Sequence, residues 1–118
     1  MRIMIPVDEN KNDVCASFGR APFFLIYNDE NNEYRYIENE AAEAEGGAGV
    51  KAAQIVVDNE ADILITIRCG ENANEVFKLA GVKIYKSTVA DAKENIALFK
   101  ENKLAELTKF HAGYHGIR

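Results

Sequence analysis

Runs of apolar residues alternate with polar turns along the chain, and the period of the apolar positions changes from strand to helix spacing and back. Arg2–Val7 is β-branched and alternating and ends at Pro6-Val7-Asp8, which predicts a first strand. Pro22–Asn28 predicts a second strand, Asp29-Glu30-Asn31-Asn32 a turn, and Glu33–Asn39 an edge strand completing a hairpin. The small-residue loop Ala41–Gly49 follows. Val50, Ala53 and Val57 then fall at helical spacing, predicting a helix from roughly Gly49 to Glu60. Ile63–Ile67 reads as a buried strand that stops at Arg68-Cys69-Gly70. Asn72, with Glu75 as capping-box partner, opens a second helix marked by Ala73, Val76, Phe77 and Ala80 and closed by Gly81. Val82–Tyr85 is a short strand. Val89, Ala92, Ile96 and Phe99 stripe a third helix, capped by Thr88 and extended by Leu104 and Leu107.

The predicted order is β-β-β-α-β-α-β-α, an α/β fold with one mixed five-stranded sheet and helices on both faces. Strands one, four and five would run parallel. In such sheets ligands sit beyond the carboxyl ends of the strands, where the strand order reverses. With strands one and four adjacent, the crevice lies between the loop 8–20 and the turn 68–72, with Cys15 and Cys69 on opposite sides of it. One domain, 1–108, is expected, with 109–118 as a flexible tail. His111 and His115 would share a metal on a helix, but Gly113 and Gly116 oppose one.

Composition narrows the function classes. The 118 residues are 47% hydrophobic and 28% charged, as in an ordinary soluble globule. No apolar run approaches the roughly 20 residues that span a bilayer, and the short run after Arg2 is no signal peptide, so a cytoplasmic protein without a membrane partner is expected. Net charge is −5. Residues 29–45 hold seven acids against one base, Arg35, so the acidity belongs to the hairpin and its loop. That face would repel phosphates, and no basic stripe is present, so nucleic acid is not an expected partner. Two cysteines, Cys15 and Cys69, are too few for a disulfide framework.

Candidate chemistry gathers at the predicted crevice. A strand feeding directly into a helix leaves free N–H groups and the positive end of a helix dipole, and here Arg68 and Cys69 stand beside them. Cys69, with Gly70 and Asn72 at the helix start, is either an iron ligand whose pKa the helix end lowers or a small packed hydrophobe. Cys15 is a second thiol in a loop. Arg20 is either an anion clamp or the partner of Asp8 or the acidic hairpin. Gly46, Gly47 and Gly49 permit a tight turn and also let backbone amides approach an anion. The phosphate-loop pattern is absent. Strand four carries no carboxylate to join Asp8, so two-metal nuclease chemistry is not expected.

Three segments together resemble the dinitrogenase iron–molybdenum cofactor biosynthesis family. They are Ile5-Pro6-Val7-Asp8 followed by Phe18-Gly19-Arg20-Ala21-Pro22, then Gly46-Gly47-Ala48-Gly49 with Ala52-Ala53, then Gly70-Glu71-Asn72-Ala73 with Ala80-Gly81-Val82. The resemblance implies a ribonuclease-H-like fold. It implies binding and transfer of an iron–sulfur or iron–molybdenum-type cluster without catalysis, and a cluster-assembly or acceptor protein as partner. Cys15 and Cys69 would be the metal ligands, with Ser17, Arg20, the glycine loop and Arg68 around them. Family members often carry a histidine just before Phe-Gly-Arg, where this chain has Ser17. Many have a glycine pair at the end of strand four, where Ile67-Arg68 stands. The alternative is an apo regulatory module that binds a protein through the acidic hairpin.

Overall fold

The computed structural model describes residues 1–112. Its strands are β1 (Arg2–Val7), β2 (Phe23–Asn28), β3 (Glu33–Glu38), β4 (Ile63–Thr66) and β5 (Lys83–Lys86). Its helices are α1 (Ala48–Asp58), α2 (Glu71–Ala80) and α3 (Ala92–Lys100), with a 3₁₀ turn at Glu40–Glu43. The sheet order is β3-β2-β1-β4-β5. β2 pairs antiparallel with β1 and β3, whereas β4 pairs parallel with β1 and β5. The mixed five-stranded sheet is therefore as the apolar pattern predicts, and strands one and four are adjacent, the condition on which the crevice between 8–20 and 68–72 depends.

Strand alternation divides the core into two layers. Met4, Phe24, Ile26 and Leu64 face α1 and α2, where they meet Ala52, Ala53, Val56, Ala73 and Phe77. Ile3, Ile5, Val7, Leu25 and Ile65 face α3, where they meet Ala92 and Ile96. The central strands are apolar on both faces because both faces are covered.

The helix ends differ from the sequence reading, each for a tertiary reason. α2 begins at Glu71 with Gly70 as N-cap, and no side chain caps it, so Asn72 and Glu75 form no capping box. The carbonyl of His111 instead accepts the Glu71 amide at 2.9 Å. α3 begins after Asp91, whose carboxylate accepts the Glu94 amide at 2.9 Å, so Thr88 is not the cap. Buried Asn95 holds the preceding loop, accepting from the Thr88 amide and donating to the Val89 and Asp91 carbonyls. α3 also stops short of Leu104. Asn102 adopts the left-handed conformation (φ 61°), a conformation Asn tolerates, and this ends the helix.

The chain then turns back along the sheet. Leu104 enters the α3-side core, and Ala105–Leu107 pairs with the β5 edge through Lys86 N to Ala105 O and Leu107 N to Ile84 O, both 2.9 Å. Continuing, His111 forms a parallel bridge with Gly70. The reading of 109–118 as a tail placed His111 off the domain, whereas the backbone of this strap is hydrogen-bonded to it. His115 lies outside the described residues.

Candidate functional site

Three pieces of chain converge beyond the carboxyl ends of β1 and β4: the loop 16–20, the amino end of α1 and the amino end of α2 with its preceding turn. Between them is a cleft of about 600 Å³. Phe18 lies buried at its base, packed edge-on against Phe77 (centroids 5.6 Å apart) and against Phe24 (5.8 Å). Such ring pairs contribute about 0.5–1.5 kcal/mol beyond their buried area, and they fix the height of the loop.

Gly19 sets the width. A Cβ there would stand 2.9 Å from Gly49 N and 3.0 Å from Gly49 Cα, so the loop backbone lies directly on the first turn of α1. Gly47, at φ 68°, turns the chain into that helix without a side-chain cap. The first-turn amides of α1 thus have no carbonyl partner within the helix. The amino end of α2 opens on the same cleft, so two positive helix ends share it.

Nine of the ten residues singled out from the sequence line this cleft: Ser17, Arg20, Gly46, Gly47, Gly49, Arg68, Cys69, Gly70 and Asn72. Cys15 does not. Val14 pairs antiparallel with Val7, and the Cys15 amide donates to Pro6 O at 2.9 Å, so this stretch runs back along β1 and enters the cleft only from Ala16 onward. Cys15 and Cys69 are at the same end of the sheet but not on two walls of one cleft. Among the described residues no group of three or more His, Cys, Asp or Glu is placed to hold a metal ion.

The two arginines differ. Arg20 pairs with neither Asp8 nor the acidic hairpin. One guanidinium nitrogen donates to Ala42 O at 2.9 Å and Ala44 O at 2.6 Å, tying down the turn that leads into the glycine loop. Arg68 is exposed, and its guanidinium makes no hydrogen bond or ion pair to another described residue. Glu45 places one carboxylate on the rim.

Cys69 belongs to the core. It is 1% exposed, packed with Phe18, Ala73 and Phe77, and its thiol donates to Gly70 O at 3.6 Å. Burial pushes its pKa up to about 12, reversing the lowering expected from a helix end. Burial also raises the Cys15 thiol, with the Asp8 carboxylate adding to the effect. Neither cysteine is presented as a thiolate at neutral pH. The raised Cys69 value has a stability consequence. The folded state holds the proton above the ordinary thiol pKa of 9.0, so its contribution is intact below pH 9 and is lost as pH rises toward about 12. Cys69→Ala is expected to flatten the fall in stability across that window, by at most about 1.4 kcal/mol per pH unit. Denaturant melts of wild type and variant at pH 8 and pH 10 check this. Parallel pH dependences would show that the thiol is not held protonated.

Of the residues that position or line the cleft, Asn39 escapes the sequence reading, and His111 figures in it only as a tail residue paired with His115. Asn39, 4% exposed, donates to Gly19 O (3.1 Å) and Ala21 O (2.8 Å) and accepts from the Ala41 amide (3.1 Å). It ties the arginine loop to the 3₁₀ turn. Its only sequence signal is an Asn after an edge strand, which reads as a turn residue. His111 reaches the cleft through the strap, for which no local signal exists.

Comparison with known proteins adds to this geometry. The sequence model of the family described as "Dinitrogenase iron-molybdenum cofactor" matches residues 1–102. An uncharacterised protein of Methanocaldococcus jannaschii is 34% identical over 107 residues, 88% of this chain and 89% of its own length. A Thermotoga protein provisionally assigned as a NifB protein superposes with a TM-score of 0.78 at 37% identity, covering 92% of this chain and 95% of that one. The apo form of the orange protein from Desulfovibrio gigas superposes with a TM-score of 0.83 at 23% identity, covering 91% and 92%, and so shares the fold. No helix of the described residues is long and apolar enough to cross a membrane.

Proposed function

Since the chain belongs to the dinitrogenase iron–molybdenum cofactor family, we propose that it holds an iron–sulfur or iron–molybdenum-type cluster in the cleft between α1 and α2 and passes it to an assembly or acceptor protein. The observation that carries this reading is the convergence of two helix amino ends with Arg20 and Arg68 on one cleft. Metal–sulfide clusters are commonly anionic, and amide and guanidinium donors tune and hold their sulfurs. The donor set suits the cargo in that respect. It does not suit a thiolate-anchored cluster, because Cys69 is buried in the core and Cys15 lies outside the cleft. Retention is therefore electrostatic in large part, which also suits release to a partner.

The cleft favours holding over turnover. Catalysis by proton transfer or nucleophilic attack needs a base set beside its target and oriented by a third group. Ser17 lines the cleft without a hydrogen bond to a base among the described residues. The protein is thus read as a carrier and not an enzyme.

Anaerobic incubation with ferrous iron, sulfide and molybdate, followed by desalting and metal and sulfide analysis, tests the reading. Wild type is expected to retain metal and acid-labile sulfide. Arg68→Ala and raised ionic strength should each weaken retention, since an exposed guanidinium acts through a screened field. Cys15→Ser should leave it unchanged. Wild-type protein that emerges free of metal would sink the proposal.

A further inference from the structure

We infer that His111, through Nε2, is the cleft's metal-ligating side chain and takes an open coordination position on an anionic metal–sulfide cargo. This deepens the carrier reading above and rests on it.

Among the side chains lining the cleft, those that bind soft or borderline metals are Cys69 and His111. Cys69 is 1% exposed, with its sulfur turned into the core. His111 is exposed and lines the cleft. Its imidazole lies against the N-cap of α2: a Cβ on Gly70 would stand 3.0 Å from the ring's Cε1, 3.5 Å from Nδ1 and 3.6 Å from Nε2. The ring therefore occupies the space that the missing Gly70 side chain leaves, beside the positive end of the helix.

Two backbone hydrogen bonds fix the residue that carries the ring. The His111 amide donates to Cys69 O at 3.3 Å, and the Glu71 amide donates to His111 O at 2.9 Å. Both are made by backbone atoms, so the strap stays latched when alanine replaces the histidine. The side chain has its own orienting contact, Nδ1 at 3.3 Å from Ala112 O. A carbonyl only accepts, so the proton of the neutral ring belongs on Nδ1 and the lone pair on Nε2. Metal-ligating histidines are commonly held this way, with one nitrogen on a backbone carbonyl and the other on the metal. A neutral donor completes what the rest of the cleft supplies. Amides and guanidiniums neutralise an anion, and an imidazole adds one directional bond without adding negative charge.

The test uses the full-length chain loaded anaerobically with ferrous iron and sulfide, reading iron retained after desalting. His111→Ala removes the ring and leaves the latch. Gly70→Ala keeps the ring and displaces it, and Gly70 has ordinary extended backbone (φ −83°, ψ 162°) that alanine adopts without strain. His111→Ala is expected to shorten retention on the order of tenfold or more, and Gly70→Ala to shorten it measurably but less, since the ring gives way by only a few tenths of an ångström. Added free imidazole should restore retention in His111→Ala and not in Gly70→Ala, where the added methyl and the shifted ring leave it no space. Amide exchange at Glu71 should match wild type in His111→Ala. Retention by His111→Ala equal to wild type overturns the inference while leaving the carrier reading standing. Loss that imidazole does not restore, accompanied by faster Glu71 exchange, also overturns it by assigning His111 a structural role. Wild type that retains no iron removes both.

Discussion

Asn39→Ala is expected to destabilise the fold by about 3 kcal/mol, because it leaves three backbone groups around a buried site without partners. The Gly19 and Ala21 carbonyls lose their donor, and the Ala41 amide loses its acceptor. For a domain of this size that lowers the thermal midpoint by about 10–20 °C. The effect should extend to function, since Asn39 ties the loop bearing Phe18, Gly19 and Arg20 to the turn that leads into α1. On the carrier reading proposed above, metal retention should fall at temperatures well below the midpoint. Asn39→Asp separates the contacts, keeping the acceptor for Ala41 and losing both donations while placing a charge in a buried position. It is expected to be no more stable than the alanine variant. Thermal melts of the three proteins check this, and an Asn39→Ala midpoint within 3 °C of wild type, an allowance set by about 1 kcal/mol of effect, would refute it.

Gly19→Ala is the second change with a large expected effect. The added methyl meets Gly49 N at 2.9 Å, Gly49 Cα at 3.0 Å and the Ala48 carbonyl carbon at 3.2 Å, all of them backbone atoms that cannot rotate away. Either the loop or the first turn of α1 must move, at a cost of about 1–3 kcal/mol, and the helix end leaves its place beside the cleft. Gly49→Ala is the contrast. Its methyl would meet only the Ala73 Cβ at 3.9 Å, an ordinary contact, and alanine is a better helix former than glycine. Gly49→Ala is expected to melt at or above the wild-type midpoint and Gly19→Ala several degrees below it. Equal midpoints would show that the loop and helix do not meet as closely as described.

Apolar periodicity determines a great deal here. The unbroken Ile63–Ile67 run marks a strand buried on both faces, whereas Arg2–Val7, which reads as alternating, is buried on both faces only because helices cover both sides of the sheet. The spacing of Ala73, Val76 and Phe77 defines the α2 stripe, and Gly81 ends that helix in a left-handed conformation as its position predicts. These are local properties, because a strand or helix is selected by the period of the side chains it must bury. Once β1 and β4 are adjacent, the crevice that gathers Ser17, Arg20, the glycine loop and Arg68 follows at the carboxyl ends of the strands.

The donor chemistry was decided at tertiary level. A cysteine before a helix reads either as a reactive thiol or as a small packed hydrophobe, and which of the two Cys69 is depends on Phe18 and Phe77, which are distant in sequence. Desolvation then outweighs the helix field and holds the proton on sulfur. Cys15 is diverted by the pairing of Val14 with Val7. The N-cap of α2 moves from Asn72 to Gly70 because a carbonyl some forty positions later in the chain, that of His111, satisfies the Glu71 amide. The same strap brings the imidazole to the cleft. From the sequence alone this protein is an α/β domain with an anion-attracting crevice at the ends of β1 and β4. Only the packing of distant segments determines which side chains face into that crevice, since burial and long-range backbone pairing leave no local periodic signal.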